Sequence, residues 1–367
     1  MIIDKNTLLK PLSAISSISE QRGYTNLLPI LNNCLIEFNG SFSIFATNLE
    51  VSATIETPYN HSGESQKICI PTKMFLEYLK SLNDGDVELT LEVNVLRVQQ
   101  GRTKAEFSLA EADEYPVASQ NGDADEKKME FTIKKDILRS LIKKVAFAIA
   151  ADGARGQAVT GAYLELSNGK IKMAGTDGFR LAVIEYSDPS LTTVDTSSII
   201  IPRRGLSEIA RLANEEIKIT AGRGSVSVVS GNTTLVSKLV DGIYPDVDNV
   251  IPAYQEGATI GREALLRSLG QVGTASEKGA VKISFDDKSM KVEAEGGIGN
   301  IETVVDVEYT GEPMTFLFNQ RYLTDALSHL EEETIILALP TNGYGAVMIR
   351  EVKDTTVYTN VIMPIRG

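Results

Sequence analysis

Histidine and cysteine are almost absent from this chain of 367 residues, with two of each. Metal and hydrolytic centres draw heavily on those side chains, and neither His61 nor His329 belongs to a His/Cys cluster of ligand spacing. Cys34 and Cys69 stand in the apolar runs Cys-Leu-Ile and Ile-Cys-Ile, where they read as small buried hydrophobes rather than a disulfide or a metal pair. No apolar run approaches the roughly 18 to 20 residues of a membrane span. The start, Met1-Ile-Ile-Asp-Lys5, lacks the basic and apolar regions of a signal peptide, so a cytoplasmic protein with no membrane partner is expected. There is no Walker-type phosphate loop, and Gly296-Gly-Ile-Gly299 lacks the third glycine and the βαβ context of a dinucleotide fingerprint. Without a nucleophile–base pair or a ligand set, neither an enzyme, a metal nor a cofactor is expected. Basic residues are in the minority, 36 against 49 acidic, for a net charge of −13. Taken alone, that argues against nucleic acid as a partner.

What the chain does contain is a repeat. Lys170-Ile-Lys-Met-Ala-Gly-Thr-Asp-Gly-Phe-Arg-Leu-Ala182 reads as a strand, a tight turn at Gly175–Gly178 and a second strand from Phe179. Asp-Gly marks a hairpin because glycine accepts the positive φ the turn needs. Phe42-Ser-Ile-Phe-Ala-Thr-Asn48 repeats the phrase, with Thr47-Asn48 standing 129 positions before Thr176-Asp177. Tyr115-Pro116 and Tyr244-Pro245 are 129 positions apart as well. That offset is about one domain length, and the whole chain is long enough for two or three domains.

The first copy begins with a helical stripe at Leu8, Leu12, Ile15 and Ile18. Strands follow at 34–38, 42–46 and 51–57, then a helix at 71–82 opened by Pro71, then strands at 87–92, 95–99 and 104–109. A charged stretch, Asn121–Lys128, is the linker. The second copy has a helix at 133–149, strands at 162–166, 170–174 and 180–186, a helix from Pro202, and strands at 217–221, 225–230 and 233–239. The third has a helix from Arg262, strands at 281–285, 290–294 and 302–307, a helix at 319–330, and strands at 334–339, 346–351 and 356–362. The expected class is α+β, with helix, strands, helix, strands repeated three times. The six helices together carry +9, leaving −22 on the rest of the chain. A basic lining inside an acidic shell attracts phosphates without general stickiness.

The chain resembles the bacterial β sliding clamps, the processivity subunits of DNA polymerase III. The likeness is carried by Leu8-Leu-Lys-Pro-Leu12, Leu28-Pro-Ile-Leu31, Thr176-Asp-Gly-Phe-Arg-Leu-Ala182, Ile201-Pro-Arg-Arg-Gly205, Ser237–Asp246 and Val361-Ile-Met-Pro-Ile-Arg366. It implies three clamp domains, expected at 1–122, 127–252 and 253–367, and two chains closed head to tail into a ring with helices lining the pore. It implies encircled double-stranded DNA as a partner, faced by Arg22, Lys73, Lys134, Lys135, Arg139, Lys143, Lys144, Arg203, Arg204 and Arg211. It implies that the replicative polymerase and the clamp loader dock short linear peptides in a groove.

The matching groove positions are Val159, Thr176, Gly178, Phe179, Arg180, Leu181, Pro245, Val250, Asn319, Tyr322, Ala346, Val361, Ile362, Met363, Pro364, Ile365 and Arg366. The homodimer interface is expected at Phe107, Leu109, Val272, Gly273 and Thr274. Phe179 stands where the family usually has His, Asn249 where a base is common, and Gly367 where a larger apolar residue is common. Gln271–Ser276 is small-residued where the family is bulky, which implies a dimer that dissociates more readily than its relatives. Two other readings are an enzyme that shares the repeat fold and a specialised clamp paralogue of narrowed partner range.

Overall fold

The computed structural model describes residues 1–19, 28–59, 65–117, 127–153, 156–193, 195–212, 216–254, 256–276, 279–297, 299–340 and 345–365. One β-α-β-β-β module recurs six times along it. The first is β1 (Ile2–Asp4), α1 (Lys5–Ser19), β2 (Asn33–Asn39), β3 (Ser41–Thr47) and β4 (Val51–Thr57). The second is β5 (Gln66–Pro71), α2 (Thr72–Ser81), β6 (Asp86–Glu92), β7 (Val95–Gln100) and β8 (Thr103–Ser108). The third is β9 (Met129–Lys134), α3 (Lys135–Ala146), β10 (Gly161–Ser167), β11 (Lys170–Thr176) and β12 (Arg180–Ser187). The fourth is β13 (Ser197–Pro202), α4 (Arg203–Leu212), β14 (Glu216–Ala221), β15 (Ser225–Ser230) and β16 (Thr233–Lys238). After a single helical turn, α5 (Val247–Val250), the fifth is β17 (Gly257–Gly261), α6 (Arg262–Gly273), β18 (Ala280–Asp286), β19 (Ser289–Gly296) and β20 (Gly299–Asp306). The sixth is β21 (Met314–Asn319), α7 (Gln320–Ser328), β22 (Thr334–Ala338), β23 (Val347–Val352) and β24 (Thr356–Ile362).

The leading strand of every module is the element absent from the reading by periodicity. These strands have three to six residues and run straight into a helix, so even an alternation such as that of β9 is too short to stand apart from the helix behind it. The consequence is clearest at Ile133 and Lys134, expected to open a helix. They end β9 instead, paired with Ile217 and Glu216, and the helix starts at Lys135.

Each leading strand joins the sheet of its neighbouring module. β1 pairs β6, β5 pairs β2, β9 pairs β14, β13 pairs β10, β17 pairs β22 and β21 pairs β18, all antiparallel. The exchange makes consecutive modules into pairs, and three pairs account for the threefold α+β repeat.

The chain forms two compact units. The first, Met1–Leu138 with Arg204–Leu239, holds a four-stranded sheet, β1-β6-β7-β8, and an eight-stranded one, β5-β2-β3-β4-β16-β15-β14-β9. The long sheet is continuous because β4 pairs β16, with Val51 opposite Ser237. Helix α1 is capped by Asp4, whose carboxylate accepts from the Asn6 and Thr7 amides at 2.9 and 3.3 Å. Its stripe of Leu8, Leu12, Ile15 and Ile18 is fully buried, each side chain stabilising the fold by about 1.5–3 kcal/mol.

The second unit, Arg139–Arg203 with Val240–Gly367, holds the eight-stranded β13-β10-β11-β12-β24-β23-β22-β17 and the four-stranded β20-β19-β18-β21. Here β12 pairs β24, with Leu181 opposite Val361 and Arg180 opposite Ile362. Leu265, Leu269 and Val272 are the buried stripe of α6.

Candidate functional site

The site in the second unit grows from the β11–β12 turn. Strand β11 runs to Thr176 and β12 starts at Arg180, so the turn is Asp177-Gly178-Phe179, beginning two residues and ending one residue later than the expected Gly175–Gly178. The Thr176 hydroxyl donates to the Arg180 carbonyl (2.6 Å) and accepts from the Gly178 amide (3.1 Å). Asp177 Oδ1 accepts from the Phe179 and Arg180 amides at 3.0 and 3.1 Å. Side-chain caps of this kind let a tight turn close with few backbone bonds of its own.

Arg180 does not present its charge outward. It is 8% exposed, paired with Asp177 at 3.0 Å and Asp325 at 2.7 Å, and donates to the Phe147 carbonyl at 2.6 Å. Its guanidinium lies 4.5 Å from the centre of the Tyr322 ring. Asn319 caps α7 by accepting from the Arg321 amide, which fixes the helix that carries Tyr322 and Asp325.

Beneath the turn is a buried apolar cluster of Ala174, Leu181, Val183, Ile200, Tyr244, Val247, Ala338, Ala346, Met348 and Val361, flanked by Ala158, Tyr163, Val240, Ile251 and Tyr254. Leu181, Val361 and Ile362, expected as groove positions, are buried strand core in the paired β12 and β24. The accessible apolar surface is the rim: Phe179 is 62% exposed, Val250 49%, Met363 42% and Ile365 41%. Phe179 and Met363 are adjacent, since the Met363 amide donates to the Phe179 carbonyl at 2.9 Å. Pro245 and Gly178 are exposed, and Val159 and Pro364 half-buried. Arg366 lies outside the described residues.

Sequence reasoning missed Asp325, Phe147 and most of the buried cluster, because they come from elements remote in sequence. Tyr244 was signalled by its repeat with Tyr115. Its hydroxyl donates to the Ala174 carbonyl (3.3 Å), and its ring stacks on Tyr163 at 5.2 Å. Burial raises its phenol pKa.

The basic helix residues divide. In the first unit Lys73 and Lys134 are exposed and Lys135 half-buried. Arg204 is half-buried, which lowers its pKa, and Arg211 pairs at 2.6 Å with Glu208, a buried carboxylate that also takes the Ser17 hydroxyl. In the second unit Lys143 and Arg203 are exposed and Arg139 half-buried. Lys144, expected to face DNA, is instead buried: its ammonium sits 3.0 Å from Glu331, 3.5 Å from Glu351 and 4.5 Å from the Tyr358 ring centre. Arg22 lies outside the described residues.

The interface residues also need correction. Phe107 is 4% exposed, its ring packed edge-on against Phe75 and Tyr78 at 5.4 and 5.5 Å. Val272 is fully buried. Neither side chain is free to meet a partner, whereas Leu109 and Gly273 are half-buried and Thr274 is exposed.

Cys34 and Cys69 are free, buried thiols, and burial pushes Cys34 up to about 12. His329 Nδ1 donates to the Asp325 carbonyl (2.7 Å), and its ring stacks on Phe147; His61 lies outside the described residues. Among the described residues no group of three His, Cys, Asp or Glu is placed to hold a metal, and no helix is long and apolar enough to cross a membrane.

Module pairs in continuous sheets, helices with a basic surplus, and a buried apolar cluster with an exposed apolar rim define a non-enzymatic type of scaffold, built from repeated domains. Comparison with known proteins gives the family. DNA polymerase III beta subunit N-terminal, central and C-terminal domain profiles match residues 1–119, 132–246 and 248–366. The chain is 30% identical over 373 residues to the beta sliding clamp of Haemophilus influenzae and 29% identical to that of Pseudomonas aeruginosa, covering 99% of both partners in each case. A crystal structure of the Pseudomonas aeruginosa DNA polymerase sliding clamp with ligand superposes with a TM-score of 0.91 at 28% identity, covering 100% of this chain and 99% of that one. The chain belongs to the DNA polymerase III beta subunit family, the beta sliding clamps. It is a non-catalytic processivity clamp for DNA polymerase.

Proposed function

We propose that two copies of the chain close head to tail around double-stranded DNA and hold the replicative polymerase and the clamp loader through short linear peptides. One observation carries the reading. Each module ends in a strand, and four of the six final strands pair with one another, β4 with β16 and β12 with β24. The other two, β8 and β20, end their sheets among the described residues. An open edge is a template for a further strand, so β8 of one copy and β20 of the next complete the same pattern twice and close a symmetric pair.

The domain boundaries that fit this scheme are 1–122, 127–252 and 253–367. Lys73, Lys134, Lys135, Arg139, Lys143, Arg203, Arg204 and Arg211 supply the sequence-independent attraction to phosphates, with the acidic remainder of the chain limiting general adhesion. The peptide packs its apolar residues against the exposed apolar side chains of Phe179, Val250 and Met363, above the buried cluster. The work is done in the cytoplasm.

A topological experiment tests this. After loading by a clamp loader, the protein is retained on closed circular DNA and lost when the circle is cut, and its direct affinity for short duplexes is weak and steeply salt-dependent. Tight binding to a short linear duplex at physiological salt, unchanged by linearising the circle, would refute encirclement.

A further inference from the structure

We infer that Arg180 is the positioning residue of the peptide groove: it locks the Thr176–Arg180 turn to helix α7 and does not read the charge of the peptide. The inference rests on the peptide-docking reading and concerns how that site is held in shape.

The chain contains its own control. In the first module pair the Thr47–Val51 turn makes the same bonds. The Thr47 hydroxyl donates to the Val51 carbonyl and accepts from the Leu49 amide, and Asn48 Oδ1 accepts from the Glu50 and Val51 amides. Val51 stands there in the place of Arg180. The turn therefore closes without a guanidinium, and Arg180 serves another purpose.

That purpose is visible in its partners. Nε donates to Asp177 in the turn, Nη1 to Asp325 on α7, and Nη2 to the Phe147 carbonyl just past α3, while the Tyr322 ring covers one face. All three nitrogens are engaged at 2.6–3.0 Å. A guanidinium suits the task because its planar fork fixes several acceptors at once, which a lysine cannot do. The guanidinium is already matched by Asp177 and Asp325, and Asp325 lies 3.6 Å from Arg321 as well, so the charge of Arg180 is engaged inside the protein rather than offered to an acidic peptide residue. The turn so fixed carries Phe179, whose ring forms the exposed rim and whose carbonyl holds the Met363 amide. Arg180 thus sets the distance between the rim and α7, and its contribution to affinity is preorganisation.

The test uses the full-length protein and two labelled peptides. One carries glutamine followed by acidic and bulky apolar residues; the other has the acidic residues replaced by their amides. Arg180→Gln, Arg180→Lys, Asp325→Asn and the unaltered chain are titrated with both, and each is also prepared with 4-fluorophenylalanine at position 179. Arg180→Gln and Asp325→Asn are each expected to weaken both peptides by the same factor, on the order of tenfold. Arg180→Lys is expected not to rescue, and the fluorine resonance at 179 should shift in each peptide-free variant. A loss confined to the acidic peptide, or full rescue by lysine, overturns the inference in favour of direct charge contact. Unchanged binding by both variants overturns it as well. If the unaltered chain binds neither peptide, the docking reading has failed, and the fluorine resonance alone decides: a shift in the peptide-free variants supports the positioning role, and no shift overturns it.

Discussion

Leu49 and Gly178 occupy the same left-handed apex 129 positions apart, at φ of 74° and 88°. Only one of them is a residue that adopts this conformation freely. A side chain there is strained by contact with its own backbone, by roughly 1–2 kcal/mol. The two turns share their bonds, so the leucine shows that the side-chain caps hold the apex even against that strain.

The turn is open to solvent at Gly178, where an added Cβ would meet nothing within 4 Å. Gly178→Ala is therefore expected to cost only the conformational penalty, about 1 kcal/mol, and Leu49→Gly to release a similar amount. Calorimetric melting checks both, with a lower Tm for the first and an equal or higher one for the second. A Gly178→Ala protein that melts with the unaltered chain would show the left-handed apex to be dispensable.

Lys144 neutralises Glu351, which is 4% exposed and accepts from the Glu331 and Glu332 amides at 2.7 and 2.8 Å. Lys144→Met should destabilise the protein by about 3 kcal/mol or more, because it strands a buried carboxylate. The double change with Glu351→Gln should recover much of the loss. Chemical unfolding followed by circular dichroism would decide, and additive losses would mean that the pair is not coupled.

Glu331 bridges Lys353 and Lys144, and the hydrogen bond from Lys353, followed by that from Lys144, holds its carboxyl down at about 2. A depressed carboxylate stabilises the fold above its unfolded pKa and ceases to do so as pH falls through the folded one. Its share is thus fully present above about 4.5 and lost between there and about 2. Glu331→Gln should flatten the acid limb of stability against pH in that window, lowering stability at neutral pH and changing little near pH 2. An acid limb of unchanged slope would count against the bridge.

Lys143 and Lys144 are adjacent, yet only the first is exposed. Lys143→Glu should weaken retention on DNA and reduce the slope of log affinity against log salt by about one for the lost cation, with stability unchanged. Lys144→Glu should instead lower Tm. Equal effects of the two on stability would contradict the burial of Lys144.

Self-association should depend on surface residues of the open strands. Val304, 64% exposed on β20, is expected to be covered by a second copy, so Val304→Glu should shift a dimer toward monomer at unchanged Tm. Phe107→Ala should act differently, emptying a site between Phe75 and Tyr78 at a cost of about 3–5 kcal/mol. Light scattering at sub-micromolar concentration together with melting separates the two effects, and a Val304→Glu dimer as stable as the original would remove β20 from the interface.

The sequence by itself determined what depends on near neighbours. The α1 stripe, the hairpin phrases at Thr47 and Thr176, the Tyr-Pro repeat and the threefold order of elements were all legible, because periodicity and turn chemistry act over a few residues. Tertiary structure alone decided which strand each leading strand joins, and which of two like residues turns inward. Ile133 and Lys134 are strand because β14 lies more than eighty positions away to receive them. Lys144 is buried and Lys143 is not because Glu351 waits beside one face of α3, and Arg180 is enclosed because α7 brings Asp325 to it across 145 positions. A buried charge is stable only where folding supplies its counter-charge, and no local pattern records which distant segment that will be.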